Sequence, residues 1–224
     1  MERFFDILFS SIALLILSPI LVPIIFFLRF SGEGEVFFSQ ERIGVDGKSF
    51  MLLKFATMLK DSPSIGTGTV TIKDDPRVLP FGKFLRKTKI NELPQLFNIF
   101  IGEMSVIGPR PLTYQTFGMY SFKTQEIVKK VRPGLSGIGS IVFRGEEEIM
   151  HGPAASIDFY KNSIAPYKGR LEEWYVKNKS IRLYFLSIFL TIWAVIFPKT
   201  KLVWHFLKDL PKPPEDLQAA LNYE

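Results

Sequence analysis

The 224-residue sequence contains no cysteine and only two histidines, His151 and His205. Without cysteine there is no disulfide, no thiolate nucleophile and no cysteine-based zinc site. Two histidines are too few to indicate a histidine-rich metal site, so we expect both to be ordinary surface or interface residues. The chain has no internal repeat. Its glycine-spaced stretch at 135–140 matches neither the Walker A pattern nor GxGxxG, so it predicts no nucleotide-binding loop.

Acidic residues are in the minority, because 22 Asp and Glu stand against 28 Lys and Arg, which gives a net charge of +6. Such a surface attracts anions, and DNA, anionic lipid head groups and nucleotide diphosphates all meet that condition. Hydrophobic residues make up 47% of the chain, and 22 residues are phenylalanine. This combination favours a membrane surface over nucleic acid as the partner.

The longest uncharged run covers residues 7–28 and, as a helix of about 33 Å, is long enough to cross a bilayer. It is not typical of a secretory signal, because Asp6 precedes it and no A-x-A-like site follows. Ser18-Pro19 interrupts its centre, which indicates either a kinked span or a re-entrant helix that returns to the same side. Arg3 and Arg29 flank both ends, so charge does not decide between the two. The basic remainder favours a cytoplasmic body.

Two short apolar segments follow, at residues 36–40 and 50–55, and each is typical of a strand. Asp46-Gly47 lies between them, so the pair predicts a hairpin. Lys54 stands at the end of the second strand. It is either a solvated edge lysine or a phosphate contact.

Residues 81–111 carry the most informative pattern. Leu93, Leu96, Phe97 and Phe100 recur at helical spacing, and Gly102 ends the predicted helix. Asn91 suits the N-cap of that helix and Glu92 its first turn. The segment opens with a basic cluster and closes with an arginine held between two prolines. The basic residues are Lys83, Arg86, Lys87 and Lys89, and the closing turn is Gly108-Pro109-Arg110-Pro111.

Free N–H groups at the start of this helix would form an anion site, around which Arg86, Lys87 and Arg110 could lie. The alternative is a capped amphipathic helix with a solvated basic face. Asp74 and Asp75 precede this segment, and we interpret them as turn or N-cap residues rather than metal ligands. The Ser/Gly-rich stretch at 61–68 is predicted to be a loop.

The second half of the chain reads as helices and loops. We predict a helix at 114–131, a flexible loop at 135–140, a solvated acidic run at 146–148 and an amphipathic helix at 171–178. The uncharged run at 183–197 indicates either an interfacial helix anchored by Trp193 and Trp204 or a buried core helix. Residues 208–224, rich in proline, are predicted to be a loosely held tail.

Several motifs in order resemble the bacterial sugar transferases, the monotopic phosphoglycosyl transferases, over about residues 1–200. The matching segments are Ser18-Pro19, Phe38-Ser39-Gln40-Glu41-Arg42-Ile43-Gly44, Lys54-Phe55-Ala56-Thr57-Met58, the stretch from Arg86 to Pro111, Arg132-Pro133-Gly134 and Trp174-Tyr175-Val176-Lys177-Asn178. The resemblance implies an α/β membrane-associated fold with a re-entrant N-terminal helix, a small sheet, catalytic helices and interfacial amphipathic helices. The implied divisions are a membrane helix at 1–30, a cytoplasmic catalytic domain at 31–200 and a tail at 201–224.

The resemblance also implies an activity: transfer of a phospho-sugar from a UDP-sugar to undecaprenyl phosphate, with release of UMP, at the start of surface polysaccharide or glycoconjugate synthesis. It places the protein on the cytoplasmic face of the bacterial inner membrane, in contact with membrane lipid, with Mg²⁺ as the cofactor. Nucleic acid is not an expected partner, and homo-oligomers are compatible with the pattern.

The chain departs from the family at the Asp-Glu pair, which is Asn91-Glu92 here. A carboxylate can attack phosphorus and bind Mg²⁺, whereas a carboxamide is neutral and a poor nucleophile. Three outcomes follow. Glu92 takes over as nucleophile, the lipid phosphate attacks directly, or the protein is an inactive or barely active homologue that binds sugar nucleotide or polyprenol phosphate.

The site residues that follow from the resemblance are hypotheses. Asn91, Glu92 and Arg86 are the catalytic candidates, and Glu92 and Asn91 are also the candidate Mg²⁺ ligands. Lys54, Arg110 and Arg132 are the candidate phosphate contacts, because arginine forks suit phosphoryl oxygens and lysine adds a point charge.

Overall fold

The computed structural model of the chain describes residues 1–65, 75–150, 156–198 and 200–223. Within these ranges the chain forms helices around two small sheets, which confirms the predicted α/β class. The helices are α1 (Glu2–Arg29), α2 (Pro80–Lys87), α3 (Gln95–Ile101), α4 (Tyr114–Phe117), α5 (Phe122–Val128), α6 (Ile138–Val142), α7 (Glu146–Ile149), α8 (Ile157–Phe159), α9 (Ala165–Lys177), α10 (Ile181–Ile196), α11 (Leu202–Phe206) and α12 (Glu215–Gln218). The strands are β1 (Phe37–Ile43), β2 (Ser49–Phe55), β3 (Ser105–Ile107) and β4 (Gly134–Ser136).

Helix α1 runs unbroken through Pro19 and Pro23. The hydroxyl of Ser18 donates to the carbonyl of Leu15 at 2.8 Å, as serine does one turn back in an apolar helix. Among the described residues α1 is the one helix long and apolar enough to cross a membrane. Much of its apolar surface is exposed, including Leu15, Ile16 and Phe26. Such a surface is typical of a membrane-associated helix.

The same helix contacts the rest of the protein along its whole length. At its start, Asp6 accepts hydrogen bonds from the Ser105 hydroxyl, the Val106 amide and the Tyr184 hydroxyl, each at 2.9 Å. In the middle, Ala13, Leu14 and Leu17 pack on the core around Leu96 and Ile99. At its end, Ile24 and Leu28 are buried with Phe55 and Leu85. Both ends of α1 therefore lie against one body.

Strands β1 and β2 form the predicted hairpin, with Phe37 opposite Phe55 and Ile43 opposite Ser49. Asp46 and Gly47 lie in its turn with φ of 55° and 76°, values that Asp and Gly tolerate better than most residues. The sequence prediction of a hairpin with Asp-Gly near its tip is confirmed.

The stretch at 135–140 is not a flexible loop, and that prediction is wrong. Gly134–Ser136 forms β4, which pairs in parallel with β3, and α6 begins at Ile138. A Cβ at Gly137 would lie 2.1 Å from the carbonyl oxygen of Gly108. The glycines therefore allow the turn that carries Arg110 to approach closely, and they do not signal mobility.

The helix after Glu92 differs from the prediction at its start and on its face. Ile90–Glu92 is a 3₁₀ turn, α3 begins at Gln95 with no side-chain cap, and the Asn91 side chain is buried. Asn91 is therefore not the N-cap. The four apolar residues at helical spacing are also not all in the core, because Leu96 is buried whereas Phe97 and Phe100 are 49% and 43% exposed. Gly102, with φ of 98°, ends the helix as predicted.

The inward face of α3 instead carries Asn98, which bonds to β2. Its amide nitrogen donates to the carbonyl of Met51 at 2.9 Å, and its amide oxygen accepts from the Leu53 N–H at 3.1 Å. This polar clamp fixes α3 against the strand that carries Lys54. It explains why Phe97 and Phe100 point away from the core.

The predicted helix at 114–131 is two helices, α4 and α5. Each has its own N-cap: the hydroxyl of Thr113 accepts from the Thr116 N–H, and that of Ser121 accepts from the Thr124 N–H. Helix α4 ends with Gly118 as its C-cap, and the Ser121 cap begins a second helix within the predicted range.

Helices α9 and α10 form the centre of the main core, where Tyr167, Leu171 and Tyr184 are fully buried. One face of α10 is buried, as a core helix at 183–197 would be, and the other face is apolar and exposed. The position of α10 at a membrane interface stays a prediction. The prediction of a loosely held tail is wrong. Leu217 and Leu221 belong to the core, and the Tyr167 hydroxyl donates to the Pro211 carbonyl at 2.8 Å.

Asp75 serves the predicted turn. Its carboxylate accepts from the Arg77 backbone N–H at 3.0 Å and from the buried Arg77 guanidinium. Arg77 in turn donates to the carbonyls of Ser62 and Ile65. Asp74 and the second half of the predicted 61–68 loop lie outside the described residues.

Candidate active site

Five of the six predicted site residues line one cavity of about 430 Å³ between the hairpin, the 3₁₀ turn and the Arg110 turn. They are Lys54, Arg86, Asn91, Glu92 and Arg110. A second cavity of about 760 Å³ adjoins it and is also lined by Glu92, Arg86 and Arg110. The sequence pattern at 81–111 thus locates a cavity lined by the predicted residues. The anion site was predicted at the N-terminus of the following helix, but Glu92 lies in the 3₁₀ turn before α3.

The backbone places Glu92 by a sharp reversal after α2. Lys89 has φ of 59°, and the 3₁₀ turn that follows presents Glu92 to the cavity while burying Asn91. Arg110 comes from the opposite wall, where the prolines on both sides restrict its backbone. The carbonyl of Pro109 accepts from the Gly134 N–H at 2.8 Å, which ties this turn to β4.

The Glu92 carboxylate lies between cationic side chains. Its Oε1 lies 3.5 Å from Lys54 Nζ and 3.8 Å from Arg110 Nη2, and its side chain is 18% exposed. Burial alone would raise the pKa of Glu92, but Lys54, Arg110 and Lys89 outweigh it and lower the pKa to about 2. Glu92 is therefore ionised at any physiological pH.

Two cations near Glu92, Lys54 and Arg42, have lowered pKa values, because burial and neighbouring positive charges disfavour their charged forms. Burial lowers the pKa of Lys54 to about 8; Glu92 opposes that shift, while Arg110 and Arg42 add to it. Burial and Arg110 together lower the pKa of Arg42 to about 10. Such a group of crowded cations around one carboxylate is suited to an anion of high charge, because added negative charge relieves their mutual repulsion.

Asn91 is 5% exposed, and its Oδ1 has no hydrogen-bond partner among the described residues. A buried carbonyl-type oxygen without a partner is costly, so this atom is available to a ligand. No group of three or more Asp, Glu, His or Cys side chains within the described ranges could hold a metal ion. Mg²⁺ is commonly held by one or two protein oxygens together with substrate phosphates. Glu92 and Asn91 fit that mode, because the surrounding cations would repel a bare metal ion.

Sequence reasoning missed two residues of the hairpin wall, Gln40 and Arg42. They alternate on one face of β1, and Arg42 Nη2 donates to Gln40 Oε1 at 2.5 Å and Nη1 to the Pro111 carbonyl at 3.2 Å. Two polar side chains at i and i+2 on the half-buried face of a strand were the available signal.

The acidic run at 146–148 is not simply solvated, and that prediction is wrong for Glu146. Its Oε2 lies 2.6 Å from Nζ of Lys168, which is 1% exposed and lies over the ring of Phe143. Glu146 and Lys168 both line the two cavities. The pair could not be foreseen, because α7 and α9 are brought together only by tertiary packing.

Behind Arg110 lies a second carboxylate, Glu172 on α9. Its Oε1 accepts from the Arg110 backbone N–H at 3.4 Å, its Oε2 has no partner among the described residues, and α6 approaches it closely at Gly139. Burial raises the pKa of Glu172 to about 7, against the Arg110 N–H and Lys168, which lower it. Glu172 thus supports the turn that presents Arg110.

Arg132 does not join the other predicted residues. Its Nε donates to the Gly102 carbonyl at 2.9 Å, and it lines a separate small cavity with Arg3 and Lys179. Arg3 donates to the neighbouring carbonyls of Ile99 and Phe100. Two arginines therefore satisfy the free carbonyls at the end of α3. Arg132 therefore lies apart from the other two candidate phosphate contacts, Lys54 and Arg110.

The side chains that line the cavity can bind a phosphorylated ligand and present one ionised carboxylate, Glu92, to it. Lysine and arginine side chains stabilise charge on phosphoryl oxygens, and Glu92 can act as a nucleophile or as a metal ligand.

Comparison with known proteins places this geometry in context. Residues 1–198 match the family described as bacterial sugar transferase. The chain is 34% identical over 208 residues to the exopolysaccharide production protein ExoY of Rhizobium meliloti, over 87% of this chain and 84% of that protein. It is 34% identical over 204 residues to the UDP-glucose:undecaprenyl-phosphate glucose-1-phosphate transferase of Klebsiella pneumoniae, over 89% of this chain and 41% of that protein. It is 32% identical over 197 residues to the UDP-N-acetylgalactosamine-undecaprenyl-phosphate N-acetylgalactosaminephosphotransferase of Aeromonas hydrophila, over 87% and 43% respectively.

Proposed function

Because the chain belongs to the bacterial sugar transferase family, we propose that it is a phosphoglycosyl transferase that moves a phospho-sugar from a UDP-sugar to undecaprenyl phosphate and releases UMP. Two of the relatives named above, those of Klebsiella pneumoniae and Aeromonas hydrophila, carry names that specify a UDP-sugar donor and undecaprenyl phosphate as the acceptor. We place the reaction at the start of surface polysaccharide or glycoconjugate synthesis. The identity of the sugar is left open, since the relatives use different ones.

One observation carries the proposal: the ionised Glu92 carboxylate faces a cavity that several cationic side chains also line. A nucleotide diphosphate brings two phosphates to be neutralised, and Lys54, Arg42 and Arg110 lie where they can do so. Fixed charges of this kind act mainly on the transition state, where charge spreads over the phosphoryl oxygens.

With asparagine at 91, two routes to the product are open. In one, Glu92 attacks the β-phosphorus of the donor, UMP leaves, and the acceptor phosphate then displaces Glu92. In the other, the acceptor phosphate attacks the β-phosphorus directly. The site then supplies position and charge only. We favour Glu92 as the nucleophile, because its pKa of about 2 keeps it deprotonated without a separate base.

Mg²⁺ is part of this proposal. It would be held by Glu92 and the Oδ1 of Asn91, and would enter together with the donor diphosphate. When bound it supplies positive charge to the phosphoryl oxygens. The protein's own part is to keep Glu92 ionised and to orient the diphosphate with Arg110 and Lys54.

We also propose that α1 is re-entrant and that the body lies on the cytoplasmic face. The contacts of Asp6, Leu17 and Leu28 with one body support this, since a helix that crosses a bilayer leaves one end on the far side. The lack of cysteine makes a direct test simple. Glu2→Cys and Ser31→Cys should both react with a membrane-impermeant maleimide in inside-out vesicles and neither in right-side-out vesicles. Opposite labelling of the two would contradict re-entry.

A second function, non-catalytic binding of sugar nucleotide or polyprenol phosphate, is favoured by Asn91 alone. The retained Glu92, Lys54 and Arg110 constellation speaks against it, because a binding protein has no need of an ionised carboxylate that repels a diphosphate.

The test uses purified full-length protein in detergent with Mg²⁺, undecaprenyl phosphate and a panel of UDP-sugars, scored by UMP release. We expect release by the wild type and its loss in Glu92→Gln. Full turnover by Glu92→Gln would refute the role of Glu92. No release by the wild type with any sugar, together with release by Asn91→Asp, would establish the binding homologue instead.

A further inference from the structure

We propose that the larger of the two cavities binds the acceptor, with the phosphate of a polyprenyl phosphate among its basic side chains and the isoprenoid chain along one face of α10. The inference rests on the proposed function, but it assigns a second binding site and names its walls.

The two cavities meet at one wall. Six residues line both of them: Arg86, Lys89, Glu92, Arg110, Glu146 and Lys168. Transfer between two substrates requires that both reach one centre, and each cavity opens on Glu92 from its own side. The wall that they share is therefore the place where donor and acceptor phosphates come together.

Beyond that wall the cavities differ in chemistry. The smaller one continues to the hairpin and the α8–α9 region, where Gln40, Arg42 and Tyr160 supply polar groups among apolar side chains such as Phe38 and Phe55. The larger one continues along Leu93, Leu135 and Ile141, and then along α10. The smaller cavity thus suits the polar sugar nucleotide, and the larger one suits an apolar chain.

The α10 wall is a regular stripe. Ile188, Thr191, Ile192 and Val195 follow one another at i, i+3, i+4 and i+7, which places them on one face of the helix. Ile192 and Val195 are 56% and 53% exposed, so the stripe continues from the cavity onto the apolar surface. A long isoprenoid chain can lie on this stripe and extend out of the cavity into the bilayer.

The same cavity also has basic side chains in its walls. Besides the residues that both cavities share, it is lined by Lys83, Lys87 and Arg144. A cavity that combines cations with an apolar stripe complements a lipid that carries a single phosphate head group. This charge pattern commits the site to a polyprenyl phosphate rather than to a neutral lipid.

The test places a larger, uncharged side chain on the α10 stripe. Ile192→Trp narrows the cavity, and Ile101→Trp at the end of α3 is its matched control, because Ile101 is 50% exposed and lines neither cavity. We expect Ile192→Trp to raise the KM for undecaprenyl phosphate by about tenfold, which corresponds to the loss of roughly two buried methylene groups of the isoprenoid chain. The KM for the UDP-sugar should stay unchanged, and Ile101→Trp should behave as the wild type. Val195→Trp is the second variant and should repeat the effect.

A readout without donor separates this inference from the proposed function. A polyprenyl phosphate that carries a diazirine should label α10 and the 135–141 segment of the wild type, and undecaprenyl phosphate should compete. Ile192→Trp should lose most of the labelling. Equal labelling of Ile192→Trp and wild type, labelling that maps elsewhere, or equal competition by phosphatidic acid would overturn the assignment. Labelling of α10 without any UMP release would uphold it while refuting the transferase function.

Discussion

The charge state of Lys54 gives the sharpest pH prediction. Its pKa is about 8, lowered by burial and by Arg110, against the opposing effect of Glu92. Below that pH it is an ammonium that attracts the donor diphosphate, and it loses this charge as the pH rises. At one pH unit above the pKa only about a tenth of the free enzyme keeps the proton. We therefore expect kcat/KM for the UDP-sugar to fall about tenfold per pH unit above pH 8.

The assay is UMP release at low donor concentration from neutral to alkaline pH, compared between the wild type and Lys54→Arg. A guanidinium stays charged over this range, so the alkaline limb should shift to higher pH in the variant. Lys177→Arg serves as the control, because Lys177 is 58% exposed and is paired with Glu173, away from the cavity. An unchanged limb in Lys54→Arg would show that another group titrates, and would refute the reasoning.

Three further predictions concern the support of the site. Glu172→Gln should be as stable as the wild type at pH 4 but more stable at pH 8, by up to about 3 kcal/mol. Burial raises the pKa of the Glu172 carboxyl from 4.5 to about 7, so the wild-type protein loses stability as this group ionises. Denaturant unfolding in detergent at the two pH values checks this, and a pH-independent difference would contradict it. Asp6→Ala removes the acceptor of three hydrogen bonds, to Ser105, Val106 and Tyr184, and should lower stability by about 3 kcal/mol, seen as faster proteolysis; resistance equal to that of the wild type would count against the anchor. Gly134→Ala would place a Cβ 2.1 Å from the Gly108 N–H nitrogen and should reduce both stability and kcat by displacing the Arg110 turn, whereas normal activity would show that the two strands can separate without cost.

Local patterns predicted the parts of the site that depend on local structure. The Asp46-Gly47 turn and the apolar strands fixed the hairpin, and with it the position of Lys54. Glu92 and Arg110 were found because they stand in a short basic and proline-rich segment whose order resembles a family. The structure brings the two side chains within 3.8 Å of each other across the cavity, whereas their membership of an active site and their chemical roles stay predictions.

Other parts could not be predicted, because they arise from tertiary packing. The buried Lys168–Glu146 pair joins two helices that are distant in sequence. Phe97 and Phe100 have helical spacing, but spacing alone cannot distinguish a buried apolar face from an exposed one. Asn98 faces inward instead, because its side-chain amide forms hydrogen bonds with backbone groups of β2. Arg132 was assigned to phosphate from the resemblance and from the fit of an arginine fork to phosphoryl oxygens, but its Nε donates to the Gly102 carbonyl at the end of α3.

The central claim is that the phosphorus next to the sugar moves with it. A UDP-sugar labelled with radioactive phosphorus at the β-position tests this directly, with wild-type protein, Mg²⁺ and undecaprenyl phosphate, after extraction into organic solvent. We predict that the label enters the lipid phase as a polyprenyl diphosphate-linked sugar in amounts equal to the UMP released, and that Glu92→Gln abolishes this. Label that remains in the aqueous phase as UDP, or no transfer at all, would contradict the account.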